Sequence, residues 1–493
     1  MASTMIYQPS RRSFVLGLAA ASSSFARATA PPPYGVLPSM PQQRWSELGF
    51  YNFLHFTVNT FTDKEWGEGD EDPAIFNPTA FDAAAICAVL KDAGSRGVIL
   101  TCKHHDGFCL WPTKTTDHSI RFSPFKNGKG DIVRELSDAA AKAGLKFGVY
   151  LSPWDRNNVA YGTPAYIDIY RRQLTELLTE YGPIFEIWHD GANGGSGYYG
   201  GAKEARTIDK VHYYDWPNTW ALARKLQPDA VIFSDVGPDI RWVGNEKGIA
   251  GETCWATYSP VATDGGTAVP GDVREKESTV GTRNGKFWLP AECDVSIRPG
   301  WFWHPAENGK VKTAQQLFDL YCVSTGRGAS FLLNVPPDRR GLIHEADSES
   351  LRGFGRIMNA TFARNLATGA RVKASNSREG YKPVHLLDEN RHTYWATADN
   401  VTQAELLFEL PHPVAFDLVR LRETIALGQR IGGFSVEYWK DGAWSSFGEG
   451  TSVGACRILR SPKPISADKV RLRITESAAC PALSEFALFK TAL

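Results

Sequence analysis

Between about residues 45 and 360, short apolar runs alternate with longer stretches whose apolar residues recur at helical spacing. The short runs predict strands over 51–58, 97–103, 146–152, 184–188, 230–234, 286–292 and 331–335. The longer stretches predict amphipathic helices over 80–93, 131–143 and 166–181. Alternation of this kind builds a parallel sheet covered by helices, an α/β fold. An eighth strand near 248–255, or one too degenerate to read, would close the sheet into a (β/α)8-like barrel. No G-x-G-x-x-G follows the first strand, which argues against an open dinucleotide-binding sheet. Beyond about residue 365 the pattern changes to short alternating runs at 404–409, 416–422, 434–439 and 469–474, separated by Gly, Pro, Asn and Asp. That pattern predicts an all-β sandwich.

A chain of 493 residues exceeds what one core usually supports, in line with a barrel over 31–364 and a sandwich over 365–493. Lysine plus arginine equals aspartate plus glutamate at 54 each, so no global field favours nucleic acid or an anionic membrane. A neutral partner fits better. Aromatic residues make up 12% of the chain, and many of its 15 tryptophans stand in loops beside Gly, Pro, His and acidic residues, where aromatic faces can stack on sugars. A large hydrophobic core is the other reading and accounts for most of them.

Ser10-Arg11-Arg12-Ser13-Phe14-Val15-Leu16 matches a twin-arginine export signal, and Ala28-Thr29-Ala30 a small-x-small cleavage site. Residues 1–30 are therefore expected to be a removed leader, giving a periplasmic or secreted protein. No second apolar run reaches membrane-spanning length, so no membrane insertion is expected. The eight cysteines lack metal-site spacing, and folding before export favours mostly free, buried thiols. Cys456 and Cys480 are the pair that could bridge within the small domain. Nothing in the sequence asks for a cofactor.

In a (β/α)8 barrel the reactive groups gather where the strands end, and several ends here are polar. The first carries His55 and leads to Glu65-Trp66-Gly67, the second ends Lys103-His104-His105-Asp106-Gly107-Phe108, and the third ends Tyr150-Leu151-Ser152. In the fourth, Glu186, Trp188 and Asp190 share one face and Phe185, Ile187 and His189 the other. Asp190 would then stand at the barrel mouth with Trp188 beneath it. The adjacent histidines diverge on a strand end and lack a third ligand nearby, so sugar binding or a structural role is favoured over a metal site.

Together, Lys103-His104-His105-Asp106-Gly107-Phe108, Tyr150-Leu151-Ser152 and Glu186-Ile187-Trp188-His189-Asp190-Gly191 resemble glycoside hydrolase family 29, the α-L-fucosidases. Arg241-Trp242-Val243-Gly244-Asn245-Glu246 is similar to the acid/base segment of the subfamily preferring α-1,3 and α-1,4 linkages. The resemblance implies Asp190 as nucleophile and Glu246 as general acid/base of a retaining hydrolase acting on fucosylated oligosaccharides or glycoprotein glycans. It also implies that His55, Glu65, Trp66, His104, His105 and Tyr150 contact fucose; Trp188 is expected to bind substrate too, and Trp301 and Trp303 form either an apolar wall for the sugar or a packed loop. Glu252, Glu292 and Asp294 remain rivals of Glu246. A different sugar on the same barrel, or a carbohydrate-binding protein without catalysis, are the alternative functions. Leu386-Leu387-Asp388-Glu389-Asn390-Arg391-His392-Thr393-Tyr394-Trp395 resembles the entry loop of discoidin-like domains and family 32 carbohydrate-binding modules.

Overall fold

The structure, a computed structural model, describes residues 29–492; the expected leader lies outside them except for its last two residues. Eight strands form one parallel sheet: β1 (Phe50–Leu54), β2 (Gly97–Lys103), β3 (Lys146–Leu151), β4 (Ile184–Trp188), β5 (Val231–Phe233), β6 (Arg241–Trp242), β7 (Ala291–Ser296) and β8 (Ser330–Asn334). Their spatial order is β5-β4-β3-β2-β1-β8-β7-β6. A parallel bridge between Phe233 and Ile240 joins the two ends and closes the barrel.

Two strands depart from the expected positions. Pro290 has no N–H to give a ladder, so the strand expected at 286–292 starts at Ala291. Phe287–Trp288 pairs instead with Thr257–Tyr258 in an antiparallel ribbon. The eighth strand is Arg241–Trp242 rather than 248–255, and a two-residue strand leaves no periodicity to read.

The outer layer carries helices α1 (Ala83–Asp92), α2 (Ile132–Ala143), α3 (Pro164–Glu180), α4 (Trp216–Leu226), α5 (Ala314–Val323) and α6 (Glu345–Thr361). Asp82 and Asp131 cap α1 and α2 by accepting from Ala85 N (2.9 Å) and Arg134 N (2.8 Å), and Gly144 ends α2 at φ +69°. No helix separates β5 from β6, and only Glu275–Val280 lies between β6 and β7. Inside the barrel Tyr51, Phe53, Ile99, Trp188, Phe233 and Leu332 form a packed column.

The C-terminal domain is one antiparallel seven-stranded sheet folded over on itself: β9 (Arg371–Ala374), β10 (Trp395–Ala396), β11 (Ala404–Glu423), β12 (Ile431–Lys440), β13 (Ala443–Gly450), β14 (Arg457–Ser477) and β15 (Ala482–Phe489). β11 and β14 run through both layers, and their pairing shifts register between Glu409 and Val414, where Pro411 and Pro413 interrupt the ladder. The fold therefore merges the expected runs 404–409 and 416–422. Trp395 of the entry loop is fully buried, its indole donating to Asn376 O (3.1 Å) and Ser377 Oγ (3.0 Å). All eight cysteines are buried and unpaired, Cys456 and Cys480 included. Among the described residues no helix is long and apolar enough to cross a membrane.

Candidate active site

A cavity of about 400 Å³ opens where the barrel strands end. Its lining includes His55, Trp66, His104, His105, Tyr150, Trp188, Asp190, Glu246 and Trp301, so nine residues singled out in the sequence converge on one space.

Asp190 follows β4 directly. Its Oδ2 accepts from the Tyr150 hydroxyl (2.8 Å) and its Oδ1 from the Ala192 amide (2.7 Å). Beneath it, Trp188 lies flat on Phe233 (centroids 4.0 Å apart) and on Tyr150 (5.3 Å). The Trp188 indole donates to Glu292 Oε1 (2.7 Å), whose other oxygen accepts from the Tyr51 hydroxyl. Burial first, and the Glu292 charge next, raise the pKa of Glu186 far above the carboxylate range; burial likewise raises that of Glu292. Both carboxyls are thus biased toward their protonated forms under the indole. Ile187 and His189 turn outward as alternation requires, His189 toward the Tyr170 hydroxyl at 2.7 Å. Phe185 instead packs against Tyr51 (5.4 Å), near the register shift between β3 and β4.

Two of the three histidines present acceptors. Asn334 Nδ2 donates to Trp301 O (2.7 Å), which fixes its Oδ1 as acceptor for His55 Nδ1–H (2.9 Å) and leaves His55 Nε2 with a lone pair. The Ser152 hydroxyl donates to Trp154 O (2.7 Å), so it accepts from His105 Nδ1–H (2.7 Å) and leaves His105 Nε2, 3.9 Å from Asp190 Oδ2, as an acceptor. Burial lowers all three imidazole pKa values, that of His55 to about 4, so the rings are neutral at neutral pH. His104 Nδ1 is buried and has no partner. A cavity with lone pairs on two sides and aromatic faces between them suits the hydroxyls and C–H faces of a sugar. Among the described residues no group of three or more His, Cys, Asp or Glu could hold a metal.

Glu246 lies just past β6, on the cavity wall, where its Oε2 accepts from the Trp301 indole (3.3 Å). Burial raises its pKa, and the Asp190 charge adds to this against the Trp301 hydrogen bond. Gly244 lets this turn close on Glu275, whose carbonyl oxygen would lie 2.4 Å from an added Cβ. The preceding Arg241 is fully buried and bonds Ser278 O (2.8 Å) and Leu289 O, so it holds the segment rather than the ligand.

Two expected contacts lie elsewhere. Glu65 is outside the cavity lining: its carboxylate accepts from the backbone N–H of Trp301 (2.8 Å) and Phe302 (3.2 Å) and meets His304 Nε2 at 2.6 Å. It braces the segment that carries Trp301. Trp303 is also outside the lining, with Arg339 over its ring at 5.9 Å and a buried indole N–H without a partner. Of the rivals to Glu246, Glu252 is exposed beside Arg327 (3.6 Å) and Glu292 is sealed under Trp188. Asp294 does line the cavity, accepting from Trp242 Nε1 (2.9 Å).

Asp235 is a lining carboxyl that the sequence reading missed. Burial and the Asp190 charge push its pKa up to about 7, against a hydrogen bond from Gly271 N (2.6 Å). It follows β5 directly, so the strand-end rule that found Asp190 would have found it too. Thr263, Asp272 and Val273 from an irregular loop that carries no periodic signal, with Glu275 at the start of the short helix that follows, complete one wall.

Comparisons with known proteins agree with this geometry. Residues 36–361 match the α-L-fucosidase family model, and residues 371–486 match the F5/8 type C domain. Alpha-L-fucosidase 1 of Arabidopsis thaliana is 43% identical over 467 residues, covering 93% of this chain and 88% of the relative. A glycoside hydrolase 29 family member from an unknown rumen bacterium superposes with a TM-score of 0.83 at 40% identity, over 94% of this chain and 78% of that one. A Ruminococcus gnavus family 29 fucosidase, solved in complex with fucose, gives 0.85 at 34% identity, over 94% and 97%. With a family match spanning the whole barrel, a discoidin-like domain behind it and relatives of this identity over nearly the full chain, the protein belongs to glycoside hydrolase family 29 and is an α-L-fucosidase.

Proposed function

We propose that this α-L-fucosidase is exported and removes terminal α-1,3- or α-1,4-linked L-fucose from branched glycans by a retaining double displacement. The observation that carries the mechanism is the shared cavity of Asp190 and Glu246, one carboxylate held by two donors, the other desolvated with its pKa raised. A retaining glycosidase needs such an asymmetric pair. In the first step Asp190 attacks the anomeric carbon, the glycosidic C–O bond breaks, and Glu246 gives its proton to the departing oxygen. In the second, Glu246 takes a proton from water, whose oxygen displaces Asp190 and restores both groups. The neutral His55 and His105, with acceptor Nε2 atoms, fit the sugar hydroxyls, as does the fucose bound by the Ruminococcus gnavus relative. The linkage preference rests on the 241–246 segment, and export on the 10–16 and 28–30 motifs. Eight unpaired, buried thiols suit a protein that folds before export.

Asp190→Gly should abolish turnover, with azide restoring activity as a fucosyl azide; near-normal turnover without azide rejects the nucleophile. Glu246→Ala should cost 4-linked natural fucosides far more than activated aryl fucosides. An equal loss on both, with the selective loss appearing in Asp294→Asn, moves the acid to Asp294.

A further inference from the structure

At the other end of the barrel, below the starts of β1 and β2, a second cavity of about 460 Å³ lies between the barrel and the sandwich. Lys91 and Arg96 reach it from the barrel, and Arg391, Arg420 and Arg422 from the sandwich. Three carboxylates, Glu47, Glu389 and Glu485, share the lining, so cations exceed anions by two. Among the described residues only Glu485 of these is paired with a cation: Arg420 donates to its Oε1 from Nε (3.1 Å) and Nη2 (2.7 Å), and Arg422 Nη1 to its Oε2.

The side chains of Lys91 and Arg96 form no hydrogen bond or ion pair among the described residues, and two sandwich arginines keep donors free as well. Arg422 is 8% exposed, yet its Nε is buried without a partner. Arg391 stands exposed at the mouth and forms no hydrogen bond or ion pair among the described residues. Partial desolvation by the cleft walls, then repulsion from Arg422, depress the Arg391 pKa. Phe362 and Phe489 back the Arg420 guanidinium at 5.0 and 4.7 Å, which fixes its plane. A buried donor without an acceptor costs free energy, and planar guanidinium forks match oxyanions in geometry and charge.

We infer that this cleft between the two domains binds a tetrahedral oxyanion, phosphate or sulfate, free or as an ester on a sugar. Arg391 holds it from the mouth and Arg422 Nε from the floor. The site is separate from the fucose pocket, which lies at the opposite ends of the strands.

Calorimetric titration of the full chain at constant ionic strength tests this, with inorganic phosphate, inorganic sulfate and galactose 6-sulfate as probes and chloride as the control. One saturable site per chain is expected, with Arg391→Gln binding about ten-fold more weakly or worse and Arg391→Lys recovering part of the loss. Fucoside turnover should be unchanged in both variants, which also reports that they fold. Tighter binding of the sugar sulfate identifies an ester as the natural source, and tighter binding of inorganic ions a free anion. No saturable binding of any probe, or equal affinity in Arg391→Gln, overturns the inference.

Discussion

Asp190 and Glu246 differ in what holds them. A phenol and an amide both donate to Asp190, whereas a single indole reaches Glu246 from the cavity wall. A donor to a carboxylate favours its ionised form, so the Trp301 N–H works against the proton that the proposed acid must carry. Trp301→Phe should therefore move the alkaline limb of kcat/KM to higher pH, because Glu246 keeps its proton longer. A profile on a natural fucoside checks it, and an unmoved or lowered limb would show that another group governs that limb. Single residues were legible in the sequence where a strand carries them to the mouth: Asp190, Tyr150, Trp188 and the three histidines share that placement. Glu65 and Trp303 stand outside the cavity lining, Glu65 engaged with the backbone of Trp301 and Phe302 and Trp303 lying under Arg339, and no pattern in the sequence encodes such pairings.

The loop after β7 shows what an element needs in order to present one side chain. Arg298 at its start is fully buried and makes bonds of 2.8 to 3.1 Å to both carboxylate oxygens of Asp347 on α6. Glu65 receives the two backbone N–H groups of Trp301 and Phe302 at the far side. Trp301 thus stands on a braced arch. Asp347→Asn leaves a buried guanidinium without its counter-charge and should cost about 3–5 kcal/mol of unfolding free energy in urea. A cost under about 1 kcal/mol would mean that the arch does not rely on the pair. Among elements, the long strands and the capped helices were readable from apolar spacing. β6 was not, since two residues carry no period, and the bend in β11 was hidden because its prolines read as a boundary between strands.

For the whole molecule, one apolar cluster runs from the barrel into the sandwich, beside the sandwich's own core. Leu418, Ile458, Ala487 and Phe489 of the sandwich belong to the same buried cluster as Phe318 and Cys322 of the barrel, and Phe489 meets Phe362 edge-on at 5.0 Å. Backbone contacts cross as well, including Ile458 N to Gly326 O (2.7 Å) and Cys254 N to Ser452 Oγ (3.1 Å). Ending the chain at residue 364 should uncover this surface and lower soluble yield and the unfolding temperature together. A soluble, equally stable truncation that only captures glycans more weakly would make the sandwich a sugar-binding appendage instead. The change of architecture near residue 365 was visible in the alternation of the sequence, but this shared cluster was not, because it joins residues more than a hundred positions apart.

The closure of the barrel is uneven. β1 to β4 and β8 are joined by ladders of three or more residue pairs, whereas the wall from β5 to β6 hangs on the Phe233–Ile240 bridge and no helix connects those two strands. A cylinder built this way is compliant on one side only, because few backbone hydrogen bonds resist opening there. Asp235 and Glu246 spring from that side, and the histidines from the stiff arc opposite. The pocket can therefore change width along one axis while its sugar-facing lone pairs keep their spacing, as a ruler does beside a moving jaw.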